Sequence, residues 1–167
     1  MIMDNERVHE LLIELLESKK YRELKKELCD MNEVDIATFM EELDNEKSLI
    51  VFRMLPKELA TEVFACLEVE QQESIIDSIN DTELKYIIED LYVDDAVDML
   101  EELPARVVKR VLKSATSDTR KLINEFLKYP ANSVGSIMTA EYVGLKKDMT
   151  VEEAFEYINI ITMFIGV

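Results

Sequence analysis

From Asn32 to Leu127 the chain divides, without a gap, into eight units of twelve residues. They are NEVDIATFMEEL, DNEKSLIVFRML, PKELATEVFACL, EVEQQESIIDSI, NDTELKYIIEDL, YVDDAVDMLEEL, PARVVKRVLKSA and TSDTRKLINEFL. The eighth position of each unit is apolar: Phe39, Val51, Val63, Ile75, Ile87, Met99, Val111 and Ile123. The twelfth is Leu43, Leu55, Leu67, Ile79, Leu91, Leu103, Ala115 and Leu127. The ninth is apolar in every unit but the last, where it is Asn124, and the fifth is apolar in most. Positions five, eight, nine and twelve form an i, i+3, i+4, i+7 set, one face of a helix. A twelve-residue unit holds a helix of about two to three turns, roughly 12–15 Å long. Such a helix is marginal alone and must bury its stripe against its neighbours. That requirement predicts a solenoid of stacked helices.

The unit boundaries carry matching signals. Pro56 and Pro104 open the third and seventh units, where a missing N–H costs little. Asn32, Asp44, Asn80, Asp81, Thr82, Thr116 and Ser117 lie near unit starts and can cap them. Upstream, residues 6–17 predict an amphipathic helix with Val8, Leu11, Leu12, Leu15 and Leu16 buried and His9 facing water. Residues 19–31 predict a second helix. The pattern stops at Tyr129-Pro130, and YPANSVGSIMT (129–139) reads as a connector. Residues 141–145 suit a short strand. Thr150 and Glu153 form a capping box that opens a helix of about ten residues.

Composition narrows the function. The chain has 167 residues, 48% of them hydrophobic, so it can bury a core despite 33% charge. Its net charge of −17 repels nucleic acid and anionic lipid and attracts cations or basic proteins. Cys29 and Cys66 lie far apart in helical patterns, and His9 is the single histidine, which argues against zinc and against a disulfide framework. The longest apolar run, 158–167, is too short to span a bilayer. No nucleophile–base arrangement or glycine-rich phosphate loop occurs, so an enzyme is not expected.

The strongest polar signal is the sixth unit, with Asp94, Asp95, Asp98, Glu101 and Glu102 and no base. Asp94 and Asp98 are i, i+4, so their carboxylates project from one face and repel unless neutralised. A hard divalent cation with oxygen ligands would neutralise them. Two structural readings compete with a metal site. Acids in a first helical turn are favoured by the helix dipole. The seventh unit, with Arg106, Lys109, Arg110 and Lys113 and no acid, could pair with the sixth. On spacing alone these two readings outweigh the metal.

Three stretches, LPKELATEVFACL, LYVDDAVDMLEELP and YPANSVGSIMTAEYVGLKKDMTVEEAF, resemble the MgtE family of magnesium transporters. The resemblance extends to about Tyr157. It implies an N-terminal helical superhelix, then the start of a CBS module, cut after its first helix, with a transmembrane domain belonging to the parent protein. It implies Mg²⁺ bridging acids of the superhelix to acids of the CBS module and across a homodimer. The residues that match family ligands are Glu62, Asp94 and Asp98, the last two being the pair already singled out by spacing.

The expected fold class is therefore all-α: a right-handed superhelix of about ten short helices, its hand not set by the periodicity, followed by a connector and a truncated CBS (α/β) segment. The expected domains are 1–128, a connector at 129–138 and the CBS start at 139–167. The expected role is a cytosolic magnesium-sensing domain with Mg²⁺ as ligand. Its partners are the CBS module and transmembrane domain, with no nucleic acid and no membrane insertion. The alternative is a helical protein-interaction scaffold without a metal role.

Overall fold

A computed structural model describes residues 5–130, 132–140 and 142–165. Two helices, α1 (Asn5–Glu17) and α2 (Tyr21–Cys29), precede the repeats. The eight units then give α3 (Glu33–Glu41), α4 (Asn45–Met54), α5 (Lys57–Cys66), α6 (Val69–Ser78), α7 (Asp81–Asp90), α8 (Val93–Glu102), α9 (Ala105–Ser114) and α10 (Ser117–Phe126). The last helix is α11 (Val151–Ile165). Among the described residues there is no strand, and the fold is all-helical as expected.

From the second unit onward each unit spends ten residues on helix and two on a turn. Leu55, Leu67, Ile79, Leu91, Leu103 and Ala115, all at position twelve, end their helices in extended backbone with ψ of 148°, 147°, 160°, 143°, 148° and 151°. The next residue is extended too, so the chain changes direction without a glycine. This corrects the simple stripe. In these six units position twelve is buried, but it reaches the core from the turn and not from the helix. Position eight is the fully helical anchor, and all eight of its side chains are buried. The caps fall where the polar residues predicted. Asn32, Asp44 and Thr116 accept from Asp35, Lys47 and Thr119 backbone N–H groups. Asn80 and Glu83 make a reciprocal capping box.

The helices stack in alternation. α3, α5, α7 and α9 pack in succession, as do α2, α4 and α6, and α8 against α10. α5 also touches α8, and α6 touches α9. The buried residues merge into one apolar core running from Leu12 to Phe126. Polar ties cross it: Gln71 Nε2 donates to Met40 O at 2.9 Å and Arg53 donates to Ser78 O at 3.0 Å.

Four local expectations are amended. The second helix is shorter than 19–31, because Lys19 adopts the left-handed region at φ 56° and Asp30 ends the helix. His9 does not face open water: it is half-buried, edge-on to Phe39 at 5.6 Å and 3.3 Å from Glu42. Residues 142–145 form no strand, since no neighbouring extended segment is placed to pair with them, while Glu141 lies outside the described residues. The closing helix runs to fifteen residues, its start held by Glu153 accepting from Thr150 N at 2.8 Å.

The connector is anchored at two points. Gly135 lies against Tyr129, whose ring stands 2.4 Å from where a Cβ would be. That ring packs edge-on to Phe126 at 5.8 Å, so any side chain at 135 would displace it. Further on, Met138 and Ala140 pack against the superhelix core.

Arg110 on α9 ties three segments together. It donates to Ile76 O, to Ile79 O at 2.7 Å and to Asp81 Oδ1 at 3.1 Å, satisfying the carbonyls that end α6. Replacing it with Met leaves those carbonyls without a donor. Arg110→Met is expected to cost about 2 kcal/mol in urea unfolding. Asp81→Asn, which touches only the exposed end of the contact, is expected to cost less than about 1 kcal/mol.

Candidate functional site

The acidic unit becomes α8. Val93, Ala96, Val97, Met99 and Leu100 are buried, which turns the remaining residues outward. At about 100° per residue, Asp94, Asp95, Asp98, Glu101 and Glu102 fall within about 120° of arc. Asp98, Glu101 and Glu102 are exposed; Asp94 is half-buried. Asp94 faces the returning connector, where Thr139 Oγ1 donates to its Oδ1 at 3.5 Å.

Glu62 sits on α5, exposed, at position seven of its unit, the position that Asp98 holds in the sixth. Because α5 packs on α8, the three predicted residues lie on adjacent helices. Cys66, one turn beyond Glu62, reports on their neighbourhood. Partial burial pushes its thiol pKa up, and the carboxylates of Glu33, Asp95 and Glu62 push it further. Residues from α3, α5 and α8 therefore share one negative field. Asp95 and Glu33 were not singled out by motif, and only the register of the repeat could have pointed to them.

Of the two competing readings, one holds and one fails. Asp94 and Asp95 do occupy the first turn of α8, where the dipole favours them. The seventh unit, however, does not neutralise the sixth through its arginines. Arg106 bridges Asp77 at 2.9 Å and also pairs with Glu73, both on α6. Arg110 serves the α6–α7 turn. The packing order explains this: α9 lies against α6 and α7.

A groove of about 230 Å³ opens beside this face, between the α5–α6 turn and α8. Glu68, Gln72, Asp95, Asp98 and Glu102 line it with Ala65, Leu67, Val69 and Met99. Among the described residues no three Asp, Glu, His or Cys side chains converge closely enough to hold one metal ion. The predicted set of Glu62, Asp94 and Asp98 is thus a shared face and not a closed coordination sphere. No described helix is long and apolar enough to cross a membrane.

The Cys66 environment is testable directly. Glu62→Gln removes one of the three charges that disfavour the thiolate. Alkylation of Cys66 at pH 8, followed by mass spectrometry, is expected to speed up about twofold. An unchanged rate would place Glu62 outside the field around that thiol.

Comparison with known proteins gives a consistent answer. The family model for the MgtE intracellular N domain matches residues 31–132. The magnesium transporter MgtE of Thermus thermophilus is 30% identical over 152 residues, covering 89% of this chain and 34% of the relative. The chain therefore spans about a third of the length of that relative. A crystal structure of the cytosolic domain of the Mg²⁺ channel MgtE in complex with ATP superposes with a TM-score of 0.77 at 29% identity, covering 91% of this chain and 62% of that one. The soluble part of a magnesium transporter superposes with a TM-score of 0.81 at 22% identity, covering 94% and 62%, a likeness of fold.

Proposed function

The chain belongs to the MgtE family through its intracellular N domain, and from that premise we propose that it is a cytosolic magnesium-sensing domain. On this reading it is the regulatory part of a dimeric magnesium transporter and not an enzyme. Glu62, Asp94 and Asp98 contribute to Mg²⁺ binding where the superhelix meets the CBS module. Residues 1–128 form the sensing superhelix, 129–138 the connector and 139–167 the beginning of the CBS module. The reading keeps the protein away from nucleic acid and outside the bilayer, on the cytoplasmic side of the membrane that holds its parent.

The observation that carries it is the contact between Thr139 and Asp94. The segment that leads into the second module returns to the helix with the densest acidic face. An acidic surface brought against that face would be repelled, and a divalent cation at the seam removes the repulsion. Such a cation binds the docked arrangement more tightly than the open one, which is the condition for a ligand to shift an equilibrium. Because no closed coordination sphere exists within the described superhelix, each site on it is weak until the second surface arrives. Weak sites acting together suit an abundant ion.

The alternative, a helical scaffold that binds a protein without metal, draws on a different place. An apolar groove of about 700 Å³ on the α4–α5–α7 side includes Phe52, Leu55, Ile79 and Ile87, with Arg53, Lys57 and Lys85 among its lining. Thermal unfolding against MgCl₂ at fixed ionic strength separates the two readings. The sensing reading expects a magnesium-specific rise of about 3–5 °C at tenfold saturation. The rise should shrink in Glu62→Gln/Asp94→Asn. An equal magnesium-specific rise in both proteins removes Glu62 and Asp94 from the binding face, and no rise in either leaves a site that needs the second module, or the scaffold.

A further inference from the structure

Positions five and nine of the repeat report how well each helix is covered. In the first six units both are buried without exception, from Ile36 and Met40 to Ala96 and Leu100. In the seventh unit they are Val108 and Leu112, still apolar but only half-buried. In the eighth they are Arg120 and Asn124, both exposed. The stacking order explains the change. α5 lies on α3, α7 on α5 and α9 on α7, and among the described residues no later helix packs on α9 to the same extent. A solenoid ends cleanly when its terminal repeat turns a polar face outward. The eighth unit does so and the seventh does not, so an apolar strip stays open beside a polar end.

That strip is the floor of a groove of about 580 Å³ between α9 and α10. Leu103, Ala105, Val108 and Leu112 give it an apolar lining. Lys109, Lys113 and Arg120 complete it, and no acid lines it. Lys109 and Lys113 are exposed and make no ion pair or hydrogen bond among the described residues. Arg120 donates to Ala115 O at 3.0 Å and meets no carboxylate. In a chain with a net charge of −17, three cations around one apolar floor with no acid among them form a local inversion of sign. The groove beside Phe52 lacks this character, because Glu83 and Glu89 stand among its basic residues.

We propose that the α9–α10 groove docks an acidic amphipathic helix of a partner protein, its apolar stripe on Val108 and Leu112 and its carboxylates against Lys109, Lys113 and Arg120. Such a helix takes the place that a ninth unit would hold in the stack. An i, i+3, i+4, i+7 stripe is what each unit already presents to its neighbours, so it matches the open strip in period. A flat anionic membrane fits less well, because the apolar side chains are recessed between two helices. The proposal is independent of the magnesium reading and uses none of Glu62, Asp94 and Asp98.

The test uses the full chain and a fluorescein-labelled peptide of about eighteen residues, long enough to form a helix. The peptide carries leucine on an i, i+3, i+4, i+7 stripe and glutamate elsewhere. Saturable binding by anisotropy is expected, with chemical-shift changes at the Val108 and Leu112 methyl groups. Lys109→Glu/Lys113→Glu should weaken binding about tenfold. Both side chains are exposed and unpaired, so the variant is expected to keep its melting temperature. Serine in place of the stripe leucines should weaken the peptide at least about tenfold. Phosphatidylglycerol vesicles should not sediment the chain. Equal binding of the serine peptide, unchanged affinity in the variant, or shifts at Ile79 and Ile87 instead would each overturn the proposal. So would vesicle binding in place of peptide binding. Concentration-dependent shifts at Val108 and Leu112 without peptide would overturn it too, by assigning the face to a second copy of the chain.

Discussion

A ten-residue helix cannot bury its own apolar stripe, and everything else in this protein follows from that. Each helix gains its stability from two or three neighbours, so the stripe must return in the same orientation at every unit. From the second unit to the seventh, the twelve-residue period meets the condition by a fixed division: ten helical residues and two extended ones. The residue at position eight then meets the core in all eight units. Position twelve follows from the turn in six of them. Because neighbours along the sequence alternate between stacks, residues about twenty-four apart become packing partners, and those on successive units often do not. This is why Arg106 and Arg110 reach back to Glu73, Asp77 and Asp81 and leave the unit beside them alone.

That displacement has an electrostatic consequence. In a chain with a net charge of −17, the seventh unit is the one repeat with four basic residues and no acid. Both of its arginines are committed to ends of α6 and α7, where they satisfy carboxylates and terminal carbonyls. The acids of α8, which packs against α5 and α10, are not compensated by them. The fold therefore separates charge by packing order. It keeps one face acidic although the neighbouring sequence is basic. A sequence reader who pairs adjacent units electrostatically reaches the wrong partner for a physical reason: adjacency along a solenoid chain is not adjacency in space.

Much of the architecture was legible from periodicity, because burial must repeat if the helices repeat. Units, caps and the all-helical class all follow from residues such as Val51, Asn80 and Thr116. What was not legible depends on the third dimension. The extended backbone at position twelve leaves no compositional trace, since a leucine there fits a helix equally well. His9 sits on the polar side of its own helix, and only the approach of Phe39 and Glu42 encloses it. The lone strand expected at 141–145 had the right residues, but among the described residues 142–145 have no extended segment to pair with. At the candidate site, the i, i+4 spacing of Asp94 and Asp98 was visible, and Glu62 came from resemblance. The approach of Glu33 and Asp95 to Cys66, and of Glu68 and Gln72 to the α8 acids, required the stacking of α3, α5 and α6 around it.

Stacking also constrains the cation binding proposed for this face. A solenoid presents side chains from separate helices on a gently curved surface, at spacings set by packing distances of about 8–10 Å between axes. Among the described residues no three ligating side chains converge on one point. On the proposed reading, direct coordination requires a second surface to supply the missing oxygens. A cation held by the superhelix alone stabilises that superhelix whatever the second module does. A cation that needs both surfaces stabilises only their contact. On the proposed reading, only the second kind can move the module, because only it discriminates between the docked and undocked arrangements.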